Sequence, residues 1–509
     1  MMLLLENKIM TNMPQIVKNS VFGRMPLIRL SLTLLCTLFF LDSMNIAQPI
    51  TWQRTYDGPG HYSDRAYSLT PADGNNFYAV GSTIISGYYH FIIKLSEFGD
   101  TLWTRSIQTN PPYGSFSYSS VSDGVGGCVL TGDNDTSFTM KLDKNGNIIW
   151  YKNYNMLYTQ CFKIIRTNER GYIACGSKLA ADYYGYVLNI DSLGNLLWQK
   201  IVPSTELLSY NSIIETGSSF LLAGTIMDTP IDTQQVVLTK IDQLGNTQWE
   251  KRYTVNGRNG NGAKILNFAN KILIAGTTID STLPQGRGYF IMTDTNGLLF
   301  RTKIFAATKS ERLHDVLLLN DNKLLFTLLR DSSNGLKISR VIVTDSIGNI
   351  LQERFFIPPE RRGYVEFAAI MRANNGDFIF GGYSQIDTNI SHEDVYIART
   401  DSLLYAPPIG IFDQQISISG DFILSQPYPN PFNPNTKISF KIGKGGFVDL
   451  KLFDINGRFV TSLIQKNMAI GAYLIPVSFD KYNLSSGIYF VSLNFNNSFI
   501  VSKKLIYIK

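Results

Sequence analysis

The chain has four histidines, His61, His90, His314 and His392, the side chains best suited to move a proton near neutral pH. None stands beside a nucleophile or an acid in a spacing that marks a catalytic motif. There is no Gly-x-Ser-x-Gly elbow, no His-Glu-x-x-His pair and no phosphate loop. Of the four cysteines, Cys36 lies in an N-terminal apolar run, and Cys128, Cys161 and Cys175 fit no zinc spacing. Cys161 and Cys175 are predicted on adjacent strands about a turn near Asn168. A cross-strand disulfide is open to them in an exported protein, and two buried thiols are the expected state. Asp143 tempts as a calcium ligand, but Asp143-Lys144-Asn145-Gly146 is far shorter than the usual twelve-residue loop and reads as a plain turn. No catalytic residue, metal ligand or cofactor-binding residue is therefore assigned, and no cofactor is expected. What remains is aromatic. Tyr88-Tyr89 and Tyr183-Tyr184 fall in segments that read as variable loops on adjacent repeats, where rings near acids can stack on a sugar or hold a peptide.

The elements that must carry these residues are written as a repeat. The run Lys141-Leu142-Asp143-Lys144-Asn145-Gly146-Asn147-Ile148-Ile149-Trp150 returns around Asp191–Trp198 and Asp242–Trp249, with weaker copies elsewhere. Its turn glycines, 99, 146, 194, 245, 297 and 348, are 47, 48, 51, 52 and 51 residues apart. That period suits a propeller blade of four strands, and helical repeats are usually shorter. Each copy is a hairpin: Asp bonds its own downstream N–H groups, and Gly takes the positive φ of the turn. Upstream of each lies a near-continuous apolar strand ending in a small residue, such as Phe77 to Gly81, Gly171 to Gly176 or Phe378 to Gly381. Such strands are buried on both faces, with glycine marking a close backbone approach. Leu328 stands near the glycine position in the sixth copy.

Seven outer strands begin at 52, 103, 150, 198, 249, 300 and 352, and seven third strands end at 96, 143, 191, 242, 294, 345 and 401. Since the strand at 51–56 has no partner before it and Asp401 has no fourth strand after it, the first is expected to complete the last blade. Closure of this kind removes exposed edges. The expected fold is all-β: a seven-bladed β-propeller over 48–405, then a small immunoglobulin-like β-sandwich. By strand geometry, the long connections at 82–90, 177–185, 226–234, 278–288 and 384–394 share one face of the ring.

Leu30 to Leu41 is an apolar run preceded by Arg24 and Arg29, of signal-peptide length and too short to span a bilayer comfortably. Residues 1–47 are read as an N-terminal extension and signal peptide, cleaved after Ala47. Met25 is a second possible start, and the residue before Cys36 does not fit a lipoprotein signal. No other segment has the length and hydropathy of a membrane span. A linker at 406–422 leads to a final domain at 423–509. That domain holds ten Lys or Arg against three Asp, so its net charge is +7 within a chain of +6. The basic balance belongs to the tail and does not point to nucleic acid.

Pro429-Asn430-Pro431-Phe432-Asn433-Pro434, Phe453-Asp454-Ile455-Asn456-Gly457-Arg458, Gly471-Ala472-Tyr473, Leu484-Ser485-Ser486-Gly487-Ile488-Tyr489 and Lys503-Lys504-Leu505 occur in that order. This stretch resembles the type A C-terminal sorting domain of the type IX secretion system. The resemblance implies an immunoglobulin-like sandwich recognised by outer-membrane export machinery, a secreted or cell-surface location, and a bacterium of the Bacteroidota or a related group. It implies nothing about the cargo. The Asp-x-x-Gly-x-x-x-Trp turn is similar to the repeats of quinone-dependent dehydrogenase propellers and, more loosely, to sialidase Asp-box turns, both structural features there. The adjacent cysteine pair of many quinone enzymes is absent. The expectation is a non-enzymatic binding module for a glycan or protein ligand, with an extracellular polysaccharide- or peptide-cleaving enzyme as the alternative. Two carboxylates and a His converging at the axis would favour the enzyme, and a channel lined by apolar and hydroxyl groups would favour binding.

Overall fold

The computed structural model describes residues 50–509, apart from 61, 110–113, 180–182, 229–232, 263, 281–282, 332–336, 358–363, 386–391, 407–421, 426, 456–457 and 496–497. The signal-peptide reading, Cys36, His61, most of the linker and Gly457 lie outside the described residues. Among the described residues there is no α-helix, only strands and two short 3-10 turns, and no helix is long and apolar enough to cross a membrane.

Residues 50–406 form antiparallel four-stranded meanders that follow one another along the chain. The first, M1, takes Asp64–Pro71, Phe77–Ile84, Tyr88–Leu95 and Thr101–Ile107. M2 takes Phe116–Ser122, Cys128–Asp133, Thr136–Leu142 and Ile148–Leu157. M3 runs from Thr159 to Val202 and M4 from Leu207 to Tyr253; M5 runs from Asn259 to Ile304, its first strand split into Asn259–Gly260 and Lys264–Phe268. M6 runs from Glu311 to Phe356. M7 takes Tyr364–Arg372, Phe378–Gln385 and Asp394–Thr400 and is completed by Trp52–Tyr56, with Trp52 opposite Arg399 and Tyr56 opposite Val395. A single parallel bridge, Lys337 to Tyr364, joins M6 to M7. The first strands of successive meanders touch in a closed cycle, M1 to M2 and onward to M7, which returns to M1.

Two local devices shape each meander. The Asp of each third-to-fourth strand turn, replaced by Ser96 in M1, accepts backbone N–H bonds from two and four residues on: Asp143 from Asn145 and Asn147 at 2.8 and 2.9 Å, and Asp401 from Leu403 and Tyr405 at 2.9 and 2.8 Å. The carboxylate is thereby occupied as a turn, as an Asx motif should be. Beneath it, Gly146 at φ +81° carries the ring of Trp103 from the preceding meander, whose Nε1 donates to Lys144 O at 3.1 Å. The same forward reach joins Trp52 to Gly99, Trp150 to Gly194, Trp198 to Gly245 and Trp249 to Gly297.

The second device sits on the innermost strands. Between Ser117 and Ser119 the register slips by one residue, and the same slip recurs at the corresponding place in M1, M3, M4, M6 and M7. Opposite each bulge in M1 to M4 and M7 is a glycine, 81, 132, 176, 224 and 382, and in M5 Gly276 faces Asn261 in the break of the split first strand. A Cβ on Gly132 would lie 1.8 Å from Phe116 O. The close approach expected at these strand ends is this carbonyl, and in M7 the glycine involved is Gly382, one residue beyond Gly381. In M6 the position is Leu328, whose side chain occupies space left by Gly288 of M5, where a Cβ would stand 2.4 Å from Leu328 Cδ2.

The tail packs a three-stranded sheet (Phe422–Leu424, Asn435–Ile442, Gly471–Ser478) against a four-stranded one (Phe459–Met468, Gly446–Asp454, Gly487–Phe495, Ser498–Tyr507). Its core includes Ile438, Phe440, Leu450, Val491 and Leu493. Tyr405, at the end of the M7 turn, stacks on Phe453 of the tail with centroids 4.6 Å apart. Arg354 and Lys451 flank the Tyr405 ring.

Candidate functional site

Each bulge pushes one residue out of the ladder on the innermost strand: Tyr67, Tyr118, Phe162, Asn211, His314 and Ala368. All six are half-buried, on first strands that alternate buried and half-buried residues where the second strands are buried almost throughout. Standing on the first strands that touch in a cycle, they form its inner rim.

One side of this inner rim is aromatic. Tyr364 meets Tyr383 edge-on at 5.9 Å, Tyr383 meets Tyr67 at 6.2 Å, Tyr67 meets Tyr118 at 6.0 Å and Tyr118 meets Phe162 at 5.6 Å. These centroid distances fall in the range of favourable ring pairs. The arc crosses M7, M1, M2 and M3. Arg65 lies over the Tyr383 ring at 4.9 Å and pairs through both its Nε and its Nη2 with Glu393.

The other side is charged. His314 Nε2 lies 3.3 Å from Glu366 Oε1. Lys264 Nζ lies 3.4 Å from Asp315 Oδ1, while Asp315 Oδ2 accepts the Ile370 N–H at 2.9 Å. Burial, then the nearby Lys264, holds the Lys163 ammonium below the ordinary lysine range. Burial also lowers the His314 pKa, against the pull of Glu366, so the imidazole is disposed to be neutral. Burial raises the Tyr383 phenol, helped by Glu366, which keeps it a hydrogen-bond donor.

The residues singled out in the sequence sit differently. Tyr88 and Tyr89 open the third strand of M1, opposite Ile84 and Thr83, and Tyr183 and Tyr184 open the third strand of M3, opposite Leu179 and Lys178. They are strand-rim residues, because the strands on both sides run further than the sequence pattern suggested. M2 intervenes, so the two pairs are not on adjacent meanders. Tyr88 is exposed and packs on Phe116 at 4.4 Å, and Phe116 stacks on Tyr118 at 6.2 Å, which ties Tyr88 to the aromatic arc. Tyr89 Oη lies 3.3 Å from Ser86 Oγ, and Tyr184 is half-buried.

His90 is a core histidine between Thr109 and Ser117, each 2.9 Å from a ring nitrogen. His392 meets Tyr62 edge-on at 5.4 Å. Cys128, Cys161 and Cys175 are free and buried; the bulge at Phe162 sets Cys161 opposite Gly176 and Cys175 opposite Lys163. Burial pushes the Cys128 and Cys161 thiols up to about 12, so they are inert. The pairing of His314 with Glu366 escaped a search for local motifs because the two stand one repeat apart. Repeat alignment does not mark it either, since the M7 residue equivalent to His314 is Ala368 and Glu366 stands two residues before it.

Burial also pushes the His90 pKa down to about 3, below the ~6.5 of an unfolded chain. The unfolded state therefore binds the proton first. The stabilisation is complete above about pH 6.5 and is lost as pH falls from there towards 3. The urea midpoint should fall across that window, and His90→Gln, though less stable at neutral pH, should show a flatter profile.

In the tail, the marked residues knit the last strand in place. Asn430 donates to Lys504 O at 2.8 Å and accepts from Ile506 N at 2.7 Å, between Pro429 and Pro431. Thr436 Oγ1 donates to Pro429 O at 2.7 Å. Tyr489 donates to Ser485 O at 2.7 Å and Tyr473 to Ala469 O at 2.6 Å. Gly487 lies opposite Tyr507, while Lys503, buried, and Lys504 lie opposite Val491 and Phe490. Gly471 opens its strand opposite Ile442.

Residues 426–509 match the family model of the secretion system C-terminal sorting domain. No curated protein matches the chain. Among solved structures, it is similar to a fungal alcohol oxidase of the AA5 family in complex with copper, at 11% identity and TM-score 0.45 over 90% of this chain and 100% of that one. It is also similar to a protein of unknown function from Bacteroides caccae, at 10% identity and TM-score 0.38 over 56% of this chain and 94% of that one. Neither similarity is strong enough to carry an argument. The sorting domain directs the protein through type IX export to the cell surface or the medium.

Proposed function

We propose that this exported protein is a seven-bladed β-propeller with an immunoglobulin-like sorting domain, and that its inner rim binds an extracellular glycan without cleaving it. The closed cycle of first strands and the completion of M7 by Trp52–Tyr56 support the blade count. The two-sheet packing of the tail supports the sandwich. The observation that carries the binding reading is the arc Tyr364, Tyr383, Tyr67, Tyr118 and Phe162 beside paired charges. Aromatic faces cover the apolar faces of a sugar ring, and the flanking Lys, Asp, Glu and His groups supply donors and acceptors for its hydroxyls. Tyr88, Tyr89, Tyr183 and Tyr184 then belong to an outer rim, with Tyr88 continuous with the arc.

The enzymatic alternative has an observation of its own. Glu366, Asp315 and His314 meet on the inner strands, the convergence that favours hydrolysis. Asp315, however, is tied to Lys264 and Ile370 N, and Glu366 faces both His314 and Tyr383. These contacts position the carboxylates as fixed hydrogen-bond acceptors. A glycan array with the secreted protein tests both readings. Tyr67→Ala with Tyr118→Ala should weaken binding at least ~10-fold, with no new reducing ends released by the parent. Release of fragments that Glu366→Gln abolishes would establish the enzyme instead, and binding unchanged in the double variant would remove the inner rim from the account.

A further inference from the structure

Where M7 meets M1, three chain segments come together. Asp57 follows the last residue of Trp52–Tyr56, Asp394 opens the strand that pairs with it, and Asp64 opens the first strand of M1. One carboxylate oxygen of each lies within 4.8 Å of the others. The segments are already in register: Asp64 N donates to Glu393 O at 2.6 Å, and Arg65 neutralises Glu393 alongside.

Asp64 is 0% exposed. Its Oδ2 accepts the Gly58 N–H at 2.6 Å, whereas its Oδ1 is buried with no hydrogen-bond partner. Burial pushes the Asp64 carboxyl up to about 6, against the smaller pull of Thr83, opposite it in the ladder, and of the Gly58 N–H. Neither the Thr83 hydroxyl nor Asp64 Oδ1 makes a hydrogen bond of normal geometry. A buried carboxylate oxygen left unpaired costs on the order of 1–3 kcal/mol or more, and two like charges held within a few ångströms add to that. Glycine at 58 keeps the space open, since a Cβ there would stand 2.3 Å from Asp64 Oδ1. The cluster therefore combines converging acidic oxygens with an orphaned buried one and room in front of it.

We propose that Asp57, Asp64 and Asp394 hold a hard divalent cation, calcium by preference, that pins the N-terminal strand and the last meander to the first. An all-oxygen set with no His or Cys suits calcium or magnesium and not zinc or copper. Ligands drawn from three separate segments form a flexible cage, which calcium tolerates and magnesium does not. Extracellular modules bind calcium in the range of roughly 0.1 to 1 mM, a concentration met outside the cell. The site is distinct from the turn aspartates, whose oxygens are taken by backbone N–H groups, and it departs from the absence of metal ligands expected from sequence. It is independent of the glycan reading.

The test uses the full secreted protein, stripped with EDTA and dialysed, then titrated with calcium chloride or magnesium chloride. Calorimetry should show one calcium per chain. Calcium at a hundredfold excess over its dissociation constant should raise Tm by on the order of 3 °C and slow tryptic cutting near Arg54 and Arg65. Both effects should vanish in Asp57→Asn with Asp394→Asn, two positions at the surface edge of the cluster, and persist in Asp143→Asn. If neither cation raises Tm, or if the rise survives in the double variant, the site is refuted. Asp64→Asn keeps an acceptor for Gly58 N–H and serves as a second variant should the double one fold poorly.

Discussion

Gly132→Ala should abolish the cooperative fold of the secreted protein, or lower its stability by more than about 3 kcal/mol. The added methyl would sit 1.8 Å from Phe116 O, a distance no rotamer can relieve because both partners are backbone. The bulge at Tyr118 would have to be undone. That would turn Tyr118 off the inner rim and withdraw Ser119 Oγ from the Ile164 N–H, which it accepts at 3.3 Å. M2 and M3 would lose their join together with the aromatic arc. Gly217→Ala is the control: its φ is +57° but nothing lies within 4 Å of a Cβ, so the cost is the ~1 kcal/mol of a left-handed alanine. Urea unfolding of the two variants side by side decides the matter. Equal midpoints would mean that the glycine opposite the bulge has no special role.

The second large effect is expected at Trp52→Ala, at about 3–5 kcal/mol. Trp52 is 3% exposed, stacks on Phe77 at 6.3 Å and donates its Nε1 to Glu97 O at 3.0 Å. Its strand belongs to M7 and its ring covers Gly99 of M1, so a single truncation loosens both sides of the closure. Gln53 adds to this seam through Ala406 O at 3.1 Å and through Tyr396 Oη. Trp249, which makes the equivalent contact in mid-chain, keeps both its neighbours by covalent connection, and Trp249→Ala should cost less. Limited proteolysis should cut the Trp52→Ala protein first near Arg54. An unfolding midpoint unchanged from the parent would show that the closure does not depend on this ring.

The all-β architecture was legible because the repeat is written in residues with narrow conformational roles. Asp143 and Gly146, and their counterparts, fix the hairpins, and strands such as Phe77 to Gly81 announce burial on both faces. The sorting domain was legible for the same reason, since Asn430, Tyr489 and Gly487 each have a specific structural task. The inner rim was not. A one-residue bulge leaves no mark on a strand's alternation until the partner strand is known, so nothing set Tyr67, Tyr118, Phe162 and His314 apart from ordinary ladder positions. Loop lengths were overstated for a related reason: Tyr88 and Tyr183 continue strands past the point where the apolar pattern stops. The cluster of Asp57, Asp64 and Asp394 joins segments from opposite ends of the repeat region, a proximity that exists only after closure.

The pairing of Trp52–Tyr56 with Asp394–Thr400 also orders events in time. Among the strands of the seven meanders, Trp52–Tyr56 is synthesised first yet pairs in M7, so it waits unpaired until residues 394–400 are made. Until then the middle sheets can each pack between two neighbours, while M1 and the unfinished M7 keep one side open. The cycle of meanders thus stays open until the strand at 394–400 is in place.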